Sequence, residues 1–367
     1  MRRAGRIDYQ IVTLSLGLLV FGLVMVYSAS AIWADQRYHD SLYFLKRQAL
    51  WILIGLPIMA LLSRLDYNRL KEWIWPLLLL NAVSLLAVLF TSPVGGARRW
   101  IRFGPLGFQP AEFTKLILVL FLADYIDRKR SKVDSALKGL AVPWAVMGIF
   151  LGLIALEPDL GTPVLIFLIA SITLFIGGAR ARYVLGVIAC AVPVLAYEIL
   201  RYPYRRQRLA HFLQPWSDPR GSGYQIVQSM LAVGSGGWFG RGLGSSQIKL
   251  MYLPAPHTDF IFPIIAEELG LLGSLGLPLL FAVLFTRGMR IARTAPNLFG
   301  ELLASGISVW IVLQAYFNIA MSIGLLPTKG VPLPFFSSGG SSILVTLAGI
   351  GILLSISRQC SRTVAIS

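Results

Sequence analysis

Apolar residues run in long blocks along this chain from Ile11 to Ser357. Ten blocks stand out, at about 11–31, 48–64, 73–91, 111–127, 141–157, 161–177, 184–200, 260–286, 300–325 and 339–357. A helix needs about 20 apolar residues to cross a bilayer. The pattern predicts an all-α polytopic membrane protein of about ten transmembrane helices. One long polar segment, about 201–259, forms a large extracytoplasmic loop between the seventh and eighth blocks. Ten spans use most of the 367 residues, so the chain reads as one transmembrane domain, 1–367, with no room for a separate soluble domain. Pro57, Pro143, Pro163, Pro193 and Pro278 fall inside blocks. In a bundle, neighbouring helices satisfy the backbone groups that such residues free.

Composition agrees: 56% of residues are hydrophobic and 14% charged, against about 25% charged in a soluble domain. Charge then orients the bundle. Of the basic residues outside the long segment, 18 fall on one side and 8 on the other. The richer side includes Arg2, Arg69, Lys138, Arg180, Arg290 and Arg358. Basic short loops stay cytoplasmic, which predicts cytoplasmic termini and an outward-facing loop. The first block is too long for a cleaved signal and lacks a small-residue cleavage site, so it is expected to remain as a helix. The long segment carries seven basic residues and, before Asp259, a single acid, Asp218. Such a surface suits anionic lipid headgroups or an anionic lipid-linked substrate. Cys190 and Cys360 lie too far apart in the pattern to pair, and His39, His211 and His257 have no ligand-like spacing.

Candidate chemistry gathers on the outer side. Asp259, in HTDFIF, stands where the long loop enters the eighth block, half in water and half in low dielectric, a place where a carboxylate serves as a base or holds a cation. In QPAEFTK, Pro110 suits the first turn of a helix, and Glu112 and Lys115 share a face three residues apart. They make either a structural ion pair or part of a cavity wall. Glu157 and Asp159, in LEPDLGTP, are expected as a solvated acid pair in a tight turn, with a second cavity wall as the alternative. The Gly-rich run 232–249 lacks phosphate-loop spacing and suits flexible, re-entrant or interfacial backbone. Glu267 and Glu268 lie inside the eighth block, so at least one must point into the bundle, pair with a cation or be protonated. Three prolines and four glycines in 324–342 forbid a continuous helix there, and Lys329 sits at the centre of that stretch.

Several blocks together resemble the SEDS family of bacterial cell-wall proteins. They are MVYSASA (25–31), RRWIRFGPLGFQPAEFTK (98–115), EPDLGTP (157–163), the run 223–270 and NIAMSIGLLPTKGVPLPFFSSGGSS (318–342). MVYSASA and PTKG bring the chain nearer to the division type of that family than to the elongation type. The chain has SSGG at 337–340, where the family more often shows SYGG. The resemblance implies a peptidoglycan glycosyltransferase of the inner membrane at the septum. It would polymerise lipid II beside a class B penicillin-binding protein, the transpeptidase, and other division proteins. It places the essential acid on Asp259 and the family's Glu and Lys on Glu112, Lys115 and Lys329. An inverting displacement at an anomeric pyrophosphate needs one carboxylate base, with cations near the leaving group. Lys115, Lys329 and the outer arginines, Arg99 and Arg102 among them, are candidates for that task. A divalent cation, Mg or Mn, is a candidate to share it, although no dedicated metal cage is visible. A flippase for the lipid-linked precursor would use the same broken helices and internal charges, and a non-catalytic scaffold is a further alternative.

Overall fold

The computed structural model describes residues 7–93, 97–103, 106–132, 135, 139–157, 159–219, 221, 223–249, 258–328 and 330–363. The described helices are α1 (Tyr9–Tyr38), α2 (Tyr43–Arg64), α3 (Leu70–Val88), α4 (Pro110–Lys129), α5 (Ala141–Ala155), α6 (Gly161–Ile176), α7 (Ala181–Arg201), α8 (Pro203–Leu213), α9 (Tyr224–Ser235), α10 (Ile261–Arg293), α11 (Leu298–Ser322) and α12 (Gly340–Thr363). The ten apolar blocks correspond to α1–α7 and α10–α12. Seven of these helices are long and apolar enough to cross a membrane, and α5 and α6 are shorter apolar helices. Helix α4 has 20 residues and is buried along most of its length, Glu112, Lys115 and Asp124 included. The polar segment after α7 is more ordered than its composition suggests, since it holds α8 and α9.

Local chemistry sets several ends. The Asp8 carboxylate caps α1 by accepting from the N–H groups of Gln10 and Ile11. Asn297 caps α11 through the Gly300 N–H. Pro110 occupies the first turn of α4, where a missing N–H loses nothing. Just before it, β1 (Ile101–Phe103) and β2 (Leu106–Phe108) form an antiparallel hairpin, with Arg102 opposite Gly107.

Helices α11 and α12 form the buried centre, whereas α7 is almost wholly exposed at the periphery. Small residues permit the closest approaches. Gly351 of α12 packs on the Met59 carbonyl of α2, where an added Cβ would lie 2.7 Å from the oxygen. In lipid, packing of this kind replaces the hydrophobic drive of water. The chain ends share one face of the bundle: the Asp8 N–H donates to Ser357 Oγ at 3.1 Å, and Gln359 donates to Asp66 at 2.9 Å. The start of α10 lies at the opposite face.

Candidate active site

Asp259 sits in the turn that leads into α10, and its backbone is fixed from α11. One amide, Asn318 Nδ2, donates to the Asp259 carbonyl at 2.8 Å and to the Val331 carbonyl at 2.7 Å. One helical turn earlier, Gln314 Nε2 donates to the Pro332 carbonyl at 2.8 Å. Two α11 side chains thus hold both the acid and the non-helical segment that leads to α12. The Gln314 oxygen in turn accepts from Trp310 Nε1 at 2.9 Å and from Lys115 Nζ at 2.6 Å. Lys115 also donates to Glu112 at 2.8 Å. The expected pair is therefore formed, but it is dry, with side chains 1% and 2% exposed. Neither side chain lines the cavities around Asp259, so the pair supports the site from beneath.

Three cavities meet at Trp100 and Thr258. The first, about 330 Å³, is bounded by Asp259, Arg99, Asp159, Tyr204 and Arg208. The second, about 200 Å³, lies across Asp259 and is bounded by Arg99, Gln109 and Ser337–Gly339. The third, about 190 Å³, lies behind Trp100 and contains Arg47, Trp51 and Arg102. Asp259 is half-buried in the wall shared by the first two. Gly330 separates its carboxylate from Arg99. A Cβ there would stand 3.3 Å from Asp259 Oδ2 and 3.5 Å from Arg99 Nη1.

The charges around Asp259 are unequal. Arg99 forms an ion pair with Asp159 at 3.8 Å and donates through Nε to the Glu157 carbonyl at 3.4 Å. The Asp159 carboxylate also accepts from Gly161 N–H at 2.9 Å and Thr162 Oγ1 at 2.9 Å. Burial pushes the Asp259 carboxyl up to about 7, and repulsion from Asp159 adds to this, with Arg99 opposing it; Glu112 raises it further and Arg208 lowers it. The expectation of a solvated acid pair at 157 and 159 is overturned. Glu157 is fully buried, and neither carboxyl oxygen has a hydrogen-bond partner among the described residues. Burial first, and then Asp159, push its carboxyl up to about 8 against the pull of Arg99. A neutral carboxyl is the form such a place favours.

Arg99 and Arg102 both reach cavities, but different ones. Lys329 lies outside the described residues. Among the described residues no three His, Cys, Asp or Glu side chains gather as a metal-holding group.

Glu267 and Glu268 are both buried and both paired. Glu267 accepts from Gln247 N–H at 3.1 Å and lies 3.4 Å from Arg241. Glu268 accepts from Ser28 of α1 at 2.6 Å and forms an ion pair with Lys249 at 3.1 Å. The Gly-rich run is therefore a strap folded onto α10, and buried carboxylates fix it. At its crossing Gly270 takes φ +62°, and an added Cβ would lie 2.9 Å from the Gly237 carbonyl.

The composition and motifs left Trp100, Gln314 and Asn318 without a role and gave Arg208 one only as part of the basic outer segment. The two amides had a readable signal. Trp310, Gln314 and Asn318 recur every fourth residue in an otherwise apolar span, which places them on one face.

This is a multi-span membrane protein with a carboxylate and arginines assembled at one face of the bundle. It belongs to the cell cycle protein family of FtsW, RodA and SpoVE, whose model matches residues 9–362. It is 40% identical, over 99% of this chain and 98% of the relative, to the "Probable peptidoglycan glycosyltransferase FtsW" of Geobacter metallireducens. It is 41% identical to the "Stage V sporulation protein E" of Bacillus subtilis, covering 96% of this chain and 97% of that one. Its fold resembles the rod shape determining protein RodA of Thermus thermophilus, with a TM-score of 0.71, 28% identity and coverage of 96% and 97%. It also matches a chain of a peptidoglycan synthase complex, with a TM-score of 0.81, 30% identity and coverage of 97% and 98%.

Proposed function

We propose that this chain is a peptidoglycan glycosyltransferase that polymerises lipid II during division, with Asp259 as the base. The observation that carries the reading is a half-buried carboxylate in the wall shared by two cavities, its proton affinity set near neutrality, with Arg99 and Arg208 beside it. A base works best when its pKa lies near the working pH.

Asp259 accepts the proton of the acceptor's 4-hydroxyl as that oxygen attacks the donor's anomeric carbon. The bond from that carbon to the pyrophosphate breaks, and its electron pair leaves on the phosphate oxygen. Attack from the face opposite the leaving group turns the α-linked donor into a β-linkage without a covalent intermediate. Arg99 and Arg208 offset the charge that grows on the departing oxygen, where a fixed cation lowers the barrier most. Lys329 is a further candidate for that role. Glu112 and Lys115 act through Gln314 on the position of the Pro332 backbone rather than by touching substrate. The protein sits in the cytoplasmic membrane at the septum, with both termini cytoplasmic. It works with a class B penicillin-binding protein that cross-links the strands.

The test is reconstitution in liposomes with lipid II, with and without the penicillin-binding partner, followed by separation of glycan polymer on a gel. Polymer from the wild type and its loss in Asp259→Asn are expected. Removing a general base typically lowers the rate by about 10²–10⁴-fold. Transfer of lipid II between leaflets with no polymer under either condition would replace this reading with that of a flippase.

A further inference from the structure

The cavity behind Trp100 is basic in a different way from the one beside Asp259. In the Asp259 cavity the arginines are engaged: Arg99 with Asp159, Arg205 with Glu198 at 2.6 Å, and Arg208 with the Thr328 carbonyl at 3.3 Å. Behind Trp100, Arg47 of α2 and Arg102 of β1 have no ion pair or hydrogen bond among the described residues. No Asp or Glu lines this cavity among the described residues. Arg47 is half-buried and packs near the Trp100 ring. A Cβ on Gly107 would meet Trp100 Cε3 at 3.1 Å and Arg47 Nη2 at 3.8 Å. The same wall holds Gly339 and Gly340, where the 24-residue helix α12 begins. The first N–H groups of a helix lack intrahelical acceptors and favour an anion. Two guanidinium groups with no partner among the described residues and a helix N-terminus thus border one small cavity.

We propose that this cavity binds the pyrophosphate of the acceptor substrate, a polyprenyl-pyrophosphate-linked sugar. The assignment rests on the glycosyl-transfer reading and follows from where charge changes. The base contacts the acceptor hydroxyl, so the leaving pyrophosphate of the donor lies within about one sugar ring of Asp259, beside Arg99 and Arg208. The acceptor carries its own pyrophosphate at the other end of its sugars. That charge is the same before and after transfer and needs a separate cationic site. Arg47 and Arg102 lie across Trp100 from the first cavity, and Thr258 borders both. Trp100 then offers an apolar face to the sugar between the two sites.

Interactions equal in ground and transition states change KM and leave kcat alone. The experiment uses the full chain with its penicillin-binding partner in phosphatidylcholine nanodiscs. Intrinsic fluorescence, which Trp51 and Trp100 in this cavity report, is titrated with inorganic pyrophosphate, and lipid II polymerisation is measured in parallel. Each of Arg47→Ala and Arg102→Ala is expected to weaken pyrophosphate binding about tenfold or more, the loss typical of a charge-assisted hydrogen bond. Each is expected to raise KM for lipid II in step while kcat changes little. Arg47→Lys recovers part of both. Asp259→Asn binds pyrophosphate as the wild type does while polymerising nothing. Unchanged pyrophosphate binding in the Arg47/Arg102 double variant overturns the proposal, as does a fall in kcat at constant KM. Loss of pyrophosphate binding when phosphatidylglycerol is included identifies a membrane-headgroup site and also overturns it. Full polymerisation by Asp259→Asn instead removes the base assignment, while the binding titration still judges the anion site.

Discussion

If Asp259 is the base, its protonation sets the pH at which the site works. With its carboxyl at about 7, only the ionised fraction above that pH accepts a proton, so kcat/KM should climb with pH and level off above about 7. Arg99 pulls this value down, so Arg99→Gln should move the midpoint upward besides slowing the reaction. A pH–rate series on lipid II distinguishes the two effects, and an unmoved midpoint would detach Arg99 from Asp259. Gly330 offers a second test. A methyl group there would stand 3.3 Å from Asp259 Oδ2, so Gly330→Ala should lower kcat while the unfolding temperature holds. Asp259 is legible from sequence because a carboxylate at the mouth of an apolar block has few structural uses. Glu157 is not. Charged residues beside a proline in a tight turn usually face water, and only the closure of the bundle over α5 and α6 removes it from solvent. Trp100 was visible only as a letter in a motif, since its use as a divider depends on cavities that no local pattern encodes.

Helix α11 converts buried polarity into placement of the site. Lys115 and Glu112 lie in almost complete exclusion from water, and Lys115 is held by Gln314 as well. Removing one partner of such a pair strands the other charge and typically lowers stability by about 3–5 kcal/mol. Glu112→Ala and Lys115→Ala should each lower the unfolding temperature in detergent, and Glu112→Leu with Lys115→Met should recover much of the loss. A strictly additive double variant would mean that the pair contributes nothing as a pair. Asn318→Leu should act differently. It frees the Asp259 and Val331 carbonyls and should reduce kcat more than it reduces stability. The spacing of Glu112 and Lys115 predicted their contact, because i,i+3 neighbours on a helix meet regardless of tertiary context. It did not predict Gln314 between them and the cavity, which comes from a helix 199 positions away in sequence. The strap over Glu267 and Glu268 was half legible. Two adjacent acids in a span demanded partners, but the Gly-rich run offered no periodicity to show that Lys249 and the backbone of 246–248 would supply them.

At the scale of the whole molecule, two independent observations agree on which loops share a face. The basic residues divide 18 to 8 between the short loops of the two faces, and the side with more of them stays cytoplasmic. The structure joins those loops without reference to charge counting. Asp8 meets Ser357, Arg358 donates to the Ser63 carbonyl at 3.0 Å, and Asn297 donates to Asn68 at 2.9 Å. All lie on the face of the chain ends, while Asp259, Arg99 and Arg208 gather on the other. On the proposed reading a lipid-linked donor and acceptor present their head groups where the strand is being built, which would make the Asp259 face the outer one. In a Cys190→Ser, Cys360→Ser background, a membrane-impermeant maleimide added to intact cells should label Ser217→Cys beside α8 and spare Arg69→Cys before α3. Both positions are exposed, so burial does not decide the result. After permeabilisation both should react. Labelling of Arg69→Cys in intact cells would invert the bundle and put the carboxylate on the side where no glycan is assembled. The catalytic reading of Asp259 would fall with the topology, even if its substitution still abolished polymer in vitro.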